Sequence, residues 1–178
     1  MKAPVFGIAG WKNSGKTTLT CALVAEFNRR GFRVATVKHA HHVFDIDREG
    51  ADSHCHRRAG ANEVAIVSGR RWALMHELLD EAEPTLEEIL SRLSPCDLVL
   101  IEGYKNEPHP KIEVRRSAAR GDKPLAPSDP TVLAIAADHR IENSDVPVLD
   151  LDDVDAIADL ISTHIGLPKR KRNASTPA

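Results

Sequence analysis

The stretch Val5-Phe6-Gly7-Ile8-Ala9-Gly10-Trp11-Lys12-Asn13-Ser14-Gly15-Lys16-Thr17-Thr18-Leu19 decides the fold. Val5 to Ala9 is a short apolar run that stops at Gly10, which reads as a buried strand. From Lys16 to Arg30, apolar residues recur at Leu19, Leu23, Val24 and Phe27, a helical spacing, and Gly31 is the expected stop. Between strand and helix, Gly10 to Thr17 spells G-x-x-x-x-G-K-[ST], the Walker A pattern. Gly10 and Gly15 let the backbone turn tightly and approach an anion with no Cβ in the way. The amides of Asn13, Ser14, Gly15, Lys16 and Thr17 are then expected to face phosphate oxygens, with the positive end of the helix dipole behind them. Lys16 is placed to reach the β- and γ-phosphates of a nucleotide, Thr17 to hold Mg²⁺, and Thr18 to meet the α-phosphate. An ordinary glycine-rich turn is the plain alternative. The strand before and helix after it favour the phosphate cradle.

A second pole lies downstream in Asp97-Leu98-Val99-Leu100-Ile101-Glu102-Gly103. An apolar strand ending in an acid is the Walker B arrangement, so Glu102 is the expected Mg²⁺ partner of Thr17. The remaining chain alternates in the same manner. Strands are expected at Val34–Val37, Val64–Val67, Trp72–Met75, Lys111–Val114, Val132–Ala136 and Val146–Leu149. Helices are expected at Asp52–Ala59, Thr85–Arg92 and Val154–Ile165. Thr85-Leu86-Glu87-Glu88 carries the spacing of a capping box. Alternation of this kind implies a three-layer α/β fold with a mostly parallel central sheet and helices on both faces. Ligands in such folds bind at the carboxyl ends of the strands. Residues 1–167 read as one nucleotide-binding domain. Residues 168–178, with Lys169-Arg170-Lys171-Arg172, read as a basic, disordered tail.

The loop after the second strand, Lys38-His39-Ala40-His41-His42-Val43-Phe44-Asp45-Ile46-Asp47, opens at that same carboxyl edge. Asp47 or Asp45 could hold a Mg²⁺-bound water, as a switch acid does. His54, Cys55, His56, Arg57 and Arg58 follow. Zinc is disfavoured here because no paired Cys-x-x-Cys is present. Neutral histidines with Arg57 and Arg58 suit an anionic ligand better. A further basic set, Lys105, Lys111, Arg115, Arg116, Arg120 and Lys123, either closes over phosphates or forms a solvated face. Asp138 follows a strand and is a candidate base reader, but no Asn-Lys-x-Asp guanine motif exists, so spacing does not separate GTP from ATP.

Composition narrows the function classes. Across 178 residues the net charge is −2, with Lys+Arg 24 against Asp+Glu 26. That balance disfavours a nucleic-acid binder driven by overall charge, and 4% aromatic residues disfavour a stacking platform. No run reaches the ~20 apolar residues of a membrane span. Cys21, Cys55 and Cys96 form no disulfide framework, which with the lack of a leader-like start points to the cytoplasm.

Several of these stretches together resemble a known family. They are Gly10 to Leu19, Val37-Lys38-His39-Ala40-His41-His42 through Asp47 to Asp52-Ser53, Ala59-Gly60-Ala61, and Leu100-Ile101-Glu102-Gly103-Tyr104-Lys105. They are similar to the molybdopterin-guanine dinucleotide biosynthesis adapter family, MobB, over about Val5 to Ile165. The resemblance implies a homodimeric GTP-binding adapter with weak GTPase activity. Such an adapter assists MobA, the guanylyltransferase that joins GMP to molybdopterin. Carried over by position, Asn13 to Thr18 would bind phosphates, Thr17 and Glu102 would hold Mg²⁺, and Gly103 would line the site. His39, His41, His42, Asp47, Asp52, Ser53 and Arg57 would belong to a loop that senses the nucleotide, molybdopterin or its guanine dinucleotide. A P-loop small-molecule kinase, or a dethiobiotin-synthetase-like ATP-dependent ligase, is the competing reading. Strands near Lys111–Val114 or Trp72–Met75 are the candidate dimer faces.

Overall fold

The computed structural model describes residues 3–40, 44–119 and 123–168. His41, His42, Arg120 and the tail from Lys169 lie outside them. The chain forms two units, one built from the residues before Ala40 and after Leu93, the other from Ala40–Leu93.

The first unit holds β1 (Val5–Ala9), α1 (Lys16–Arg29), β2 (Val34–Lys38), β5 (Leu98–Glu102), β6 (Lys111–Arg115), β7 (Val132–Ala137), β8 (Val148–Asp150) and α4 (Val154–Ile165). The second holds α2 (Asp52–Arg58), β3 (Glu63–Val67), β4 (Trp72–His76) and α3 (Leu86–Arg92). The six-stranded sheet has the order β2-β5-β1-β6-β7-β8, and every neighbouring pair is parallel. This is the mostly parallel α/β fold that the alternating pattern implies.

Each parallel neighbour needs a crossover connection, and the apolar faces of α1 and α4 supply the cover. Phe6 and Ile8 of β1, Leu98 and Leu100 of β5, and Ile112 and Val114 of β6 project to one face. Leu19, Leu23 and Phe27 of α1 and Ile157 and Ile161 of α4 pack on them. Burying each such side chain contributes about 1.5–3 kcal/mol. Arg30, just past α1, reaches Asp155 and Asp159 of α4 and ties the two helices along their exposed margin. All of β5 is buried, as its unbroken apolar run leads one to expect.

Beside β1 and β6 the opposite face is covered by loops. Lys111 is 1% exposed, and its three ammonium N–H groups are shared among four oxygens: Lys105 O, Glu107 O, Asp129 Oδ2 and Thr131 Oγ1. Burial opposes ionisation of Asp129, but bonds from Thr131 and Lys111 outweigh it and hold that carboxyl below its usual range. Glu113, also buried, accepts from the amides of Leu125 and Ala126 and from Arg115. Two charged residues of β6 thus fasten the long loops on either side of the strand. His109 lies directly against Gly7, where any Cβ would overlap its ring.

In the second unit β3 and β4 form an antiparallel hairpin apart from the main sheet, with Val67 opposite Trp72. Ser68 closes its turn, its Oγ accepting from the Arg71 amide. The Thr85 capping box is present as read, with Thr85 Oγ1 accepting from Glu88 N and Glu88 Oε2 accepting from Thr85 N. β8 starts at Val148, two residues later than the apolar run suggests. Ser144 takes both backbone groups of Val146 through its hydroxyl, and Pro147 has no N–H to give a ladder.

His109 has an acid-range consequence. Burial, and secondarily the Lys111 charge, push its pKa down to about 4. An unfolded histidine binds its proton near pH ~6.5. Between those values the unfolded chain holds a proton that the folded chain does not. This contribution to stability is therefore complete above about pH 6.5 and is lost as pH falls toward about 4. His109→Phe keeps a ring over Gly7 without the titration, so its urea midpoint is expected to fall less than the wild type's over that window. Parallel declines would assign the acid sensitivity to other groups.

Candidate functional site: the phosphate loop at the carboxyl edge of the sheet

β1 lies between β5 and β6, so its carboxyl end opens at the centre of the sheet. The turn that follows uses left-handed backbone at Asn13 (φ 62°) and Gly15 (φ 94°), and Gly15 caps α1. Asparagine tolerates that region, and at Gly15 it needs no Cβ. Alternating handedness of this kind gathers successive amides into an anion-binding concavity. Ser14 is buried at its centre, and its Oγ has no partner among the described residues. The Lys16 ammonium folds back to the Trp11 carbonyl.

Parallel register brings the acid to this loop. Ile8 pairs with Glu102 and Lys38 pairs with Glu102, so the ends of β1, β5 and β2 are level. Thr17 Oγ1 donates to Glu102 Oε1 at 2.7 Å, and Lys38 Nζ lies 3.4 Å from the same oxygen. A hydroxyl and a carboxylate meeting at the start of α1 are hard oxygen donors, and that donor set fits Mg²⁺. Gly103 continues from Glu102 and donates its amide to Ile8 O at 3.3 Å, while His39 N donates to Glu102 O at 2.9 Å. The His39 ring packs on Tyr104, centroids 4.6 Å apart. Thr18, on the first turn of α1, is exposed.

The edge carries excess positive charge. Burial moves Lys16 below the usual lysine range; Glu102 opposes this, and Lys38 and Lys105 reinforce it. One carboxylate among these ammonium groups leaves the cluster under-compensated, which favours a polyanion. Lys105 also sits over the Trp11 ring, 3.9 Å from its centroid, and Trp11 Nε1 donates to Lys123 O at 2.9 Å. The basic set read from the sequence therefore divides. Lys105 and Arg116 lie against the phosphate loop, whereas Lys111 and Arg115 are spent on internal acids. The burial of Lys111 gave no sequence signal, because a lysine opening a weak strand reads as solvated. Asp138 is also engaged, accepting from Ser117 N at 2.7 Å and from His139 Nδ1 at 2.8 Å.

The second unit has its own polar cluster. Arg57 bonds Asp45, Asp47 and Glu77. Asp47 also accepts from Ser53 Oγ at 2.7 Å and is 5% exposed in its side chain. A metal-bound water would have to compete with both partners for those oxygens. Arg57 holds the exposed Asp45 carboxyl below its usual range, helped by the Asp47 amide. Asp52 opens α2, where its charge suits the helix dipole. Beside this cluster is a cavity of about 350 Å³ lined by Asp45, His54, Arg57, Arg58 and Glu77 among others. Among the described residues no three His, Cys, Asp or Glu side chains gather into a metal cluster.

A Walker A turn on the central strand, with an acid closing the neighbouring parallel strand, defines the P-loop NTPase class of α/β proteins. Residues 5–138 match the model of the family described as MobB, molybdopterin guanine dinucleotide synthesis protein B. The chain belongs to that family. It is 40% identical over 160 residues to the molybdopterin-guanine dinucleotide biosynthesis adapter protein of Escherichia coli K12, covering 89% of this chain and 91% of that one. It is 39% identical over 167 residues to the protein of the same name from Haemophilus influenzae, covering 91% of this chain and 89% of that one. A crystal structure of a MobB homologue from Bacillus stearothermophilus superposes with a TM-score of 0.67 at 29% identity, covering 92% of this chain and 99% of that one.

Arg57→Ala would leave three carboxylates around α2 without their shared cation. Hydrogen exchange of the α2 amides is expected to quicken several-fold, while β1 and β5 stay as protected as in the wild type. Unchanged α2 exchange would show that the cluster does not hold the unit together.

Proposed function

We propose that this protein is a GTP-binding adapter of molybdopterin guanine dinucleotide biosynthesis. Its phosphate loop takes up GTP with Mg²⁺, and its partner is the guanylyltransferase MobA, to which it supplies the nucleotide or presents molybdopterin. The observation that carries this reading is the Thr17–Glu102 contact set among Lys16, Lys38 and Lys105. Family membership supports a pathway for that nucleotide site, because both relatives above are named as adapters.

In this reading Asn13 to Thr18 cradle the phosphates, Lys16 bridges their outer oxygens, and Thr17 with Glu102 hold the ion. When bound, Mg²⁺ neutralises phosphate charge. Hydrolysis is expected to be slow, as the family resemblance implies. Asp47 organises its own loop through Ser53 and Arg57. The adapter works in the cytoplasm, and no described helix is long and apolar enough to cross a membrane.

The test is a Trp11 fluorescence titration with GTP and ATP, with and without Mg²⁺. GTP is expected to bind more tightly than ATP. Lys16→Ala is expected to lose about tenfold or more in affinity, the worth of a charge-assisted phosphate contact, and Glu102→Gln to lose the Mg²⁺ dependence. Preference for ATP, or binding indifferent to Lys16, would sink the reading.

The adapter is a homodimer in this proposal, and the hairpin is its interface. β6 cannot serve, because it pairs on both edges and its side chains are buried. Val67, Trp72 and Leu74 share one face of the hairpin and are 75%, 70% and 49% exposed. A contiguous apolar face on a two-stranded ribbon suits a second copy of itself. Val67→Glu combined with Trp72→Glu is expected to convert dimer to monomer in sedimentation velocity. A double variant that sediments as the wild type does would remove the hairpin from the interface.

A further inference from the structure

Arg116 is the first residue past β6, the strand beside β1. Its guanidinium lies against the turn of the phosphate loop. A Cβ on Gly15 would stand 2.8 Å from Arg116 Nε and 3.2 Å from its Cζ. Nε is buried and has no hydrogen-bond partner among the described residues. Guanidinium is always charged and carries five donors in a planar fork that matches phosphate oxygens. Burying such a donor unpaired is unfavourable, and an anion in the adjacent cradle would satisfy the fork.

The backbone on either side of Arg116 is held, although Arg115 Nε is, like Arg116 Nε, buried without a partner among the described residues. Arg115, one residue earlier, bonds Glu113, and Glu113 is held in turn by the amides of Leu125 and Ala126. Ser117, one residue later, gives its amide and its hydroxyl to Asp138. Asp138 N donates to Arg115 O, and Ala119 N to Arg116 O. The backbone that carries Arg116 is thus clamped to the ends of β6 and β7. A side chain on so fixed a support is organised before any ligand arrives, which limits the entropy lost on binding.

We propose, on the nucleotide-binding reading above, that Arg116 is a phosphate ligand supplied from the β6 side. It donates to non-bridging oxygens of the bound nucleotide and shares their charge with Lys16. Asp138 and Ser117 act as its positioning residues. On this view glycine is required at position 15 for a second reason besides its φ, since a side chain there would push the guanidinium off the loop.

The experiment compares the wild type with Arg116→Gln, Arg116→Lys and Lys16→Ala. Trp11 fluorescence gives the affinity for Mg·GTP and Mg·GDP at several salt concentrations, and thermal melting is followed with and without nucleotide. Arg116→Gln is expected to melt as the wild type does without nucleotide. It is expected to bind about ten- to a hundredfold more weakly, the worth of one or two charge-assisted hydrogen bonds, with a shallower salt dependence. Arg116→Lys is expected to recover part of the affinity. Wild-type affinity in Arg116→Gln, alongside loss in Lys16→Ala, overturns the role of Arg116 and leaves the nucleotide site standing. Equal weakening in the Gln and Lys variants with lowered melting in both shows a packing role and also overturns it. A wild type that binds neither nucleotide overturns both.

Discussion

The parallel register of β2, β5 and β1 is the constraint on which the rest depends. It levels three strand ends, so that an acid 85 residues from Thr17 in sequence stands at hydrogen-bond distance from its hydroxyl. Shift β5 by one residue and Glu102 turns to the opposite face of the sheet, because side chains alternate along a strand. The register is specified by burial on both faces. Leu98 and Leu100 are committed to the α1 and α4 side and Val99 and Ile101 to the other. A slip would turn the Glu102 carboxylate away from α1 and from Thr17, onto the face that Val99 and Ile101 occupy. The core therefore enforces the chemistry at the edge to within a fraction of a strand step.

The charged residues of β6 do for the loops what the core does for the strands. Lys111 and Glu113 project from the middle of a parallel sheet, a position where an isolated charge is strongly unfavourable. Each is matched by several partners drawn from distant parts of the chain. Losing one partner of a buried pair costs about 3–5 kcal/mol, more than most surface contacts contribute. The reward is geometric. The β5–β6 loop carries Lys105 to the Trp11 ring, and the β6–β7 loop brings the Lys123 carbonyl to the Trp11 indole. The indole of the phosphate loop is fastened by both, so the loop's shape is inherited from buried charges it never touches.

Much of this was legible in the sequence. The Walker A turn, the apolar run into Glu102, the Thr85 box and the period of α1 and α4 each rest on interactions within a few residues, and these patterns carry through. Four features were not legible. The hairpin of β3 and β4 reads as two more strands of one sheet, because apolar alternation records burial and not the choice of partner. Lys111 reads as part of a basic set that either closes over phosphates or stays solvated, and the burial of Lys111 and Glu113 gave no signal, since their partners lie up to twenty residues away. Arg116 belongs to a basic run with no periodicity, and its place against Gly15 follows from the clamp that Asp138 puts on Ser117. Asp138 invited reading as a recognition group for the base. Its carboxylate accepts from the Ser117 amide and lies beside His139, contacts no motif advertises.

The Ala40–Leu93 unit leaves the sheet from the carboxyl end of β2 and rejoins it ahead of the amino end of β5, two strands that are direct neighbours. It is an insertion within a single crossover connection. The sheet requires of that connection only that it span the sheet from one edge to the other, and the entropic cost of lengthening such an excursion grows only slowly. The hairpin β3–β4 pairs only with itself, so its register is set apart from the level strand ends of the main sheet.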